Sequence, residues 1–506
     1  MPDTKEHLIK AGDYNLDVAE ILSYKIASGK PGEVAPFRVD IQNIIVSIEL
    51  QQSIFSRTMI GKIQVFDTKD VRTLLPIVGL ERLNLKFHTP GLTGCNATAN
   101  EGHPFHIYKI ETVTPDRSGA LGAQAYDIFF CSRESYFNNM RKVSKAYTGQ
   151  VEVGVNDIFR NRKYLSSKKD LYFEPTRNST KIVIPNLKPF EAIDMLSRKA
   201  VSEKYENAGY LFYEDFNGYH FRSIESLLAV GGSVARPAKW SYNFGLKDVR
   251  HPSGGKEIVK DLHGAESWSL QKPVDILENI SNGAYANKLI EHDMFNKTIT
   301  ETAFDYTKDF GQHFHTEHSD GGKSHVKTPL PNAKFDDTLR TISDEMESKV
   351  MFKSNTKNIH EQVDEKGITY VVDNVSDKHT TQKALSQRQL LSSGILELEA
   401  PGNSLIQAGD IITFDMPILE PLGHNIKAKP NPYWGGRYLV YDMKHIINKT
   451  DDKYTVHIRA VKDNVNHPYV GENTMWSHVT KGELQSIYDK DNELLSRMNQ
   501  RPNPHR

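Results

Sequence analysis

The sequence predicts a β-rich α+β fold in several domains: two related antiparallel β-modules, an α+β domain and a helical insertion. Three observations carry this. A pattern of strand, strand, long turn, strand occurs twice, at residues 81–87, 105–110 and 126–133 and again at 409–416, 437–443 and 454–460. Within it Leu83, Leu85 and Phe87 alternate with polar residues, the pattern of a strand buried on one face. Between the copies, apolar residues such as Ala192, Ile193, Leu196 and Ala200 recur at helical spacing instead.

In chain order, residues 1–34 read as a polar N-terminal arm ending in the turn signal Gly29-Lys30-Pro31-Gly32. Residues 35–148 read as the first β-domain, with strands at 41–50 and 59–66 before the first triple. Residues 149–266 read as the α+β domain. It holds a helix over 153–164, a short strand at 182–184, and a helix begun by Pro189, whose missing N–H costs nothing at a first turn. A hairpin of 209–213 and 219–223 follows, turned at Asn217-Gly218, a primed-turn pair.

Residues 267–310 and 380–468 read as a second β-domain, split in two. Its early strands are expected at 267–270, 274–277 and 285–290, because the step from 285–290 into Glu291-His292-Asp293 parallels 59–67. The interruption, 311–379, holds a His-rich polar loop at 311–330, a helix with Leu339, Ile342, Met346 and Val350 on one stripe, and a small hairpin near 368–372. A helix over 381–393 then stops at Gly394, a common C-cap. Residues 469–506 read as an amphipathic helical tail, with Leu484, Ile487, Tyr488, Leu495 and Met498 on one face. Such a helix is marginal without a packing partner.

Composition narrows the function. A length of 506 residues allows several cores. A formal net charge of -1 argues against a dedicated nucleic-acid binder, which needs clustered excess Lys and Arg. Cys95 and Cys131 are the two cysteines, so no disulfide framework exists and a reducing compartment fits. No signal-peptide core is visible, and no apolar run approaches the ~20 residues that span a bilayer. Synthesis and folding in a cytoplasm are expected.

The chemistry-bearing candidates are few. His313, His315 and His318, with His325 beyond, could hold a divalent metal, but the segment has no Cys and no i,i+4 His pair, and it reads as a solvated loop. Gly322-Lys323-Ser324 resembles the end of a phosphate-binding loop, yet Glu317 stands where its first glycine is needed. Asp336-Asp337 reads as a helix cap. The aromatics of 210–221 could form a carbohydrate-binding face or a core, and a core is the commoner use. No nucleophile elbow, zinc-protease helix or dinucleotide fingerprint is present. The expectation is therefore no catalytic, cofactor-binding or metal residue, no cofactor, and no enzyme.

Three stretches carry a family resemblance: 182–193 followed by 209–224; 396–414, with Pro401-Gly402-Asn403-Ser404 and Gly409-Asp410; and 436–443 with 454–460. In order and spacing they resemble the baseplate central hub proteins of contractile-tailed (myovirus-type) bacteriophages, and are similar to the N-terminal hub part of type VI secretion spike proteins. The resemblance spans roughly residues 35–470. It implies that the two β-modules are β-barrel-like tube domains. It further implies a homotrimer whose modules make a pseudo-sixfold ring, joining a hexameric tail tube or its initiator to a trimeric central spike on a separate chain. DNA would pass through the channel without specific binding. Apart from the resemblance, the C-terminal helix or the 311–379 insertion is expected to face outward and contact wedge proteins of the baseplate or another subunit. Location in the virion tail, after assembly in the host bacterial cytoplasm, follows from the same resemblance. The alternative is a carbohydrate-binding or cell-wall-degrading tail component.

Overall fold

The structure is a computed structural model, and it describes residues 8–23, 37–75, 77–115, 123–177, 179–205, 207–230, 234–244, 261–272, 275–294, 297–317, 348–355, 361–363, 369–371, 380–391, 394–416, 431 and 434–464. The turn at 29–32, the helix expected at 339–346, His318, His325, Gly322-Lys323-Ser324, Asp336-Asp337 and the tail 469–506 all lie outside these residues.

The first region contains β1 (Asn15–Ser23), β2 (Phe37–Asp40), β3 (Ile45–Ser53), β4 (Ile60–Asp67), helix α1 (Val71–Leu74), β5 (Arg82–His88), β6 (Cys95–Ala97), β7 (Phe105–Pro115) and β8 (Gln124–Ser132). The order β3-β4-β8-β7-β5 is antiparallel throughout. β1 lies within the stretch read as an arm, but it is a sheet strand. Ala19, Ile21 and Leu22 are buried, and the strand pairs along β5, covering an edge that would otherwise be exposed.

Next come α2 (Arg133–Met140), β9 (Val143–Gln150), α3 (Val151–Arg160), β10 (Leu171–Phe173), β11 (Ser179–Leu187), α4 (Pro189–Ser197), β12 (Tyr210–Glu214), β13 (Tyr219–Ser223), α5 (Ile224–Leu228), β14 (Ala229–Val230) and β15 (Val234–Ala235). The hairpin forms as expected, with Phe212 opposite Phe221. Val155, Ile158 and Phe159 of α3 pack with Ile193 and Leu196 of α4 and with Phe212, Tyr219 and Phe221 in a core separate from that of the large sheet.

The remainder holds β16 (Trp240–Asn243), β17 (Ser267–Lys272), α6 (Ile276–Ser281), β18 (Ala286–Asp293), β19 (Thr298–Asp305), α7 (Tyr306–Asp309), β20 (Val350–Asn355), β21 (Glu361–Val363), β22 (Thr369–Val371), α8 (Thr380–Leu391), β23 (Gly394–Pro401), β24 (Ile411–Asp415), β25 (Gly436–Asn448) and β26 (Lys453–Lys462). Strands β17-β23-β26-β25-β24 also form an antiparallel run. Numbered by chain order within each module, both runs read 1-2-5-4-3. The doubled triple is thus a doubled topology, with β5, β7 and β8 answering to β24, β25 and β26.

Several expected placements change. Residues 286–293 do not enter the large sheet; β18 pairs with β19 and β20 in a sheet of its own. The second strand of the second module is β23, and the likeness of 285–290 to 59–66 is one of alternation only, which does not specify a partner strand. The strand expected at 274–277 gives way to a helix from Ile276 to Ser281, with the Asp275 carboxylate accepting from Glu278 N–H at 3.0 Å as an N-cap. Val350, expected on a helix stripe, begins a strand. β16, inside the expected α+β stretch, pairs in parallel with β24.

The large sheet bends over one core. Phe87 of β5 meets Tyr454 of β26 at 6.1 Å between ring centroids, although several strands separate them in the sheet. Residues of both modules share this core, Ile63, Ile128 and Phe130 with Leu398, Met443 and Ile458.

Candidate assembly interface

The two modules are joined by backbone. β25 is long enough to have two partners on one side: its first residues pair with β24, from Gly436 opposite Phe414 to Leu439 opposite Ile411. From Asp442 onward the same side pairs with β3, Asp442 opposite Ser53 through to Asn448 opposite Ser47. The change of partner occurs at a bulge at Tyr441. Its carbonyl accepts from Ile54 N–H at 2.9 Å and from the Ser53 hydroxyl at 3.0 Å.

β7 has the same anatomy as far as Glu111, after which it carries a second bulge that β25 lacks. Its first residues pair with β5, Phe105 opposite Leu83, and a bulge follows at Tyr108. Ladder partners align Tyr108 with Tyr441, Ile110 with Met443, and Ile128 with Ile458. Even the entry to strand 3 is repeated. Glu81 accepts from Val78 N–H at 3.0 Å, and Asp410 accepts from Gln407 N–H at 2.9 Å, each three residues back. Burial would raise the Glu81 carboxyl, but the backbone N–H groups of its own loop hold it below the usual range. Beyond its bulge, however, the side of β7 away from β8 has no strand beside it among the described residues, and β17, at one end of the sheet order, pairs only with β23.

The sheet face turned away from the core carries paired charges. Lys444 contacts Glu49 at 2.5 Å, and Lys62 lies 3.9 Å from Glu49 and 3.8 Å from Asp127. Arg459 contacts Glu397 at 2.9 Å and Asp442 at 3.7 Å. A cleft of about 450 Å³ crosses this face, lined by Gln51, Trp268, Glu397, Asp442, Lys444 and Arg459 among others. Each of the cations Lys62, Lys444 and Arg459 has a carboxylate beside it.

Two buried ionic clusters dock other parts of the chain onto the modules. Lys169 contacts Glu214 and lies 3.5 Å from Glu134, while Glu214 accepts from Met59 N–H at 2.8 Å at the start of module one. Burial would discharge Lys169, but the two carboxylates overcome it and raise its pKa. At the end of module two, Lys462 contacts Glu317 at 3.0 Å.

The His-rich segment differs from the expected solvated loop. His313 and His315 are buried. His313 Nδ1 is 2.8 Å from Glu225, whereas His315 lies between Asp463 at 2.6 Å and the Phe310 carbonyl at 2.7 Å. Both partners of His315 are acceptors, so both ring nitrogens must donate and the ring is an imidazolium. Burial opposes that charge, but Asp463 overcomes it and raises the His315 pKa. Asp463 is held low in turn, its own burial offset by His315 and Thr316. Thr316 and Glu317 N–H donate to Asp463 and Asn464 at 2.9 Å each, so the segment is a clasp on the end of β26. Buried acid partners, invisible in a local reading, drew these polar residues inward. The two imidazoles face different carboxylates, and among the described residues no group of three or more His, Cys, Asp or Glu could hold a metal. Tyr210, Phe212, Tyr213, Tyr219 and Phe221 are buried, so they line cores and form no open carbohydrate face. The described residues include no helix long and apolar enough to cross a membrane.

No protein-family model and no curated protein matches the chain. Among solved structures it is similar to phage and prophage tail proteins. A tail protein from Neisseria meningitidis MC58 is 9% identical, with 89% of this chain and 97% of that chain covered at a TM-score of 0.48. The 43 kDa tail protein of prophage MuSo2 from Shewanella oneidensis is 9% identical, with 88% and 98% covered at 0.46. The E. coli c3393 protein, described as a type VI secretion component structurally similar to T4 bacteriophage tail proteins gp27 and gp5, is 11% identical, with 84% and 76% covered at 0.37.

Proposed function

We propose that this chain is a structural tail component, the hub of a contractile-tail baseplate, and not an enzyme. The observation that carries the reading is the fusion of two modules of one topology, edge to edge, into one sheet. Such a duplication serves a ring builder, because each chain then supplies two equivalent positions. As a homotrimer it would present pseudo-sixfold symmetry to a hexameric tube and true threefold symmetry to a trimeric spike. The ion-paired sheet face suits a channel wall that lets DNA pass without holding it, because a cation already paired with a carboxylate has less net charge with which to neutralise phosphates and release the counterions of the DNA. The 311–379 insertion and the 469–506 tail are the proposed contacts for wedge proteins. No buried or exposed group described above favours the carbohydrate-binding or wall-degrading alternative.

Co-expression with the tube and spike proteins of the same tail tests this. A particle with threefold symmetry, and sixfold pseudo-symmetry at the level of this chain, is expected by electron microscopy. A chain that remains monomeric and joins neither protein overturns the reading.

A further inference from the structure

The repeat contains an interface that one chain can fill only once. Within the chain, strand 1 of the first module, β3, pairs antiparallel with strand 4 of the second, β25, starting one residue past its bulge. The other pairing of the same kind would join strand 1 of the second module, β17, to strand 4 of the first, β7, past its bulge at Tyr108. Both sides of that pairing are present, each has one edge without a strand beside it among the described residues, and they lie towards opposite ends of the sheet order. Two open, complementary edges that do not meet within a chain are the halves of a head-to-tail contact.

We propose that β17 of one copy adds to the outer edge of β7 of a second copy, antiparallel, over residues 111–115, in the manner of the β3–β25 ladder within one chain but with a bulge in each strand, between Leu270 and Lys272 and between Glu111 and Thr114. This rests on the ring reading above and names the surface that would close it. The register follows from the internal ladder. Lys444 stands opposite Gln51, and the bulge alignment puts Glu111 in the place of Lys444 while the β3–β4 and β17–β23 ladders put Leu270 in the place of Leu50. β17 bulges at Gln271, and its ladder sets Lys272 against Ile395 where β3 sets Gln51 against Ile60, so Glu111 of one copy lies beside Lys272 of the next. Loop residues before strand 3 flank each bulge alike: Ile107 N–H donates to the Glu81 carbonyl, and Val440 N–H to that of Asp410, both at 2.9 Å. The open stretch therefore begins at the same point in both modules.

The test uses the full chain carrying Glu111→Cys and Lys272→Cys, with Cys95 and Cys131 left in place because both are buried. On mild oxidation the double variant is expected to run as covalent multimers under denaturing conditions. A mixture of the two single variants should give a covalent dimer that neither gives alone. As a second reading on the unaltered chain, amide exchange at 111–115 and 267–272 should slow at least tenfold on assembly, with 453–462 unchanged. A disulfide within single chains only, or no dimer from the mixture while light scattering still reports an assembled particle, overturns this interface and leaves the hub reading standing. Loss of the particle altogether, with no joining to tube or spike, removes both.

Discussion

The two modules share one strand order and differ in what fills it. In the first, Gly61 of β4 lies opposite Phe130 of β8; in the second, the equivalent pair is Leu396 and Ala460. A Cβ at Gly61 would come within 2.2 Å of the Phe130 ring and 2.6 Å of the Glu49 carbonyl, so the first module needs glycine there for close approach. The second module moves the bulk across the strand pair and keeps the layer filled. Interiors pack to near-crystalline density, so what a repeat conserves is summed volume, and the residues themselves drift. A second difference is the link between strands 1 and 2: residues 54–59 in the first module, and 273–393 in the second, which holds two small sheets and three α-helices among the described residues. The third is the edge: β25 is covered along its length and β7 is not.

Each difference can be probed. The largest effect is expected from the filled layer. Leu396→Ala should cost about 2–5 kcal/mol in denaturant unfolding. Gly61→Leu should cost about 1–3 kcal/mol by overpacking, and Gly61→Leu with Phe130→Ala should recover much of that loss by giving module one the arrangement of module two. Additive penalties in the double variant would mean the two layers are not equivalent.

A smaller, pH-dependent effect is expected where the insertion is clasped to module two. The raised His315 pKa means its contribution is complete below the unfolded value of about 6.5 and is lost as pH rises through the folded value. The lowered Asp463 pKa means the acid side is lost as pH falls through its folded value. Exchange protection of 313–317 should therefore peak between the two and fall on either side, while the equivalent end of β8 stays flat. His315→Gln should abolish the alkaline fall; a clasp insensitive to pH in the unaltered chain would count against the ion pair.

The smallest effect is reserved for the charges that cross the joint between modules. Lys444→Ala should cost under ~1 kcal/mol, because the pair with Glu49 is partly exposed and the backbone ladder does the joining. A loss of several kcal/mol would show that the charged face holds the modules together.

Alternation of polar and apolar residues made both triples legible, and with them the doubled module. It also located α4 and the 209–223 hairpin, whose signals — a first-turn proline and an Asn-Gly pair — are local. The same rule misread 285–290, since a strand's period records one buried face and not which sheet buries it. The His-rich segment failed for a related reason: its polarity is real, but Glu225 and Asp463, far away in sequence, make burial affordable. The joint itself left only a faint trace, in the long alternating run from 436 to 448.

By itself, then, the sequence determined the class of fold, the duplication and the strands that carry it, because those follow from periodicities within a few residues of one another. Tertiary structure alone decided that β3 and β25 zip the copies into one sheet, that a clasp forms at His315, and that β7 and β17 are left with open edges. Those outcomes depend on pairings between residues hundreds of positions apart, whose backbone hydrogen bonds carry no side-chain signature.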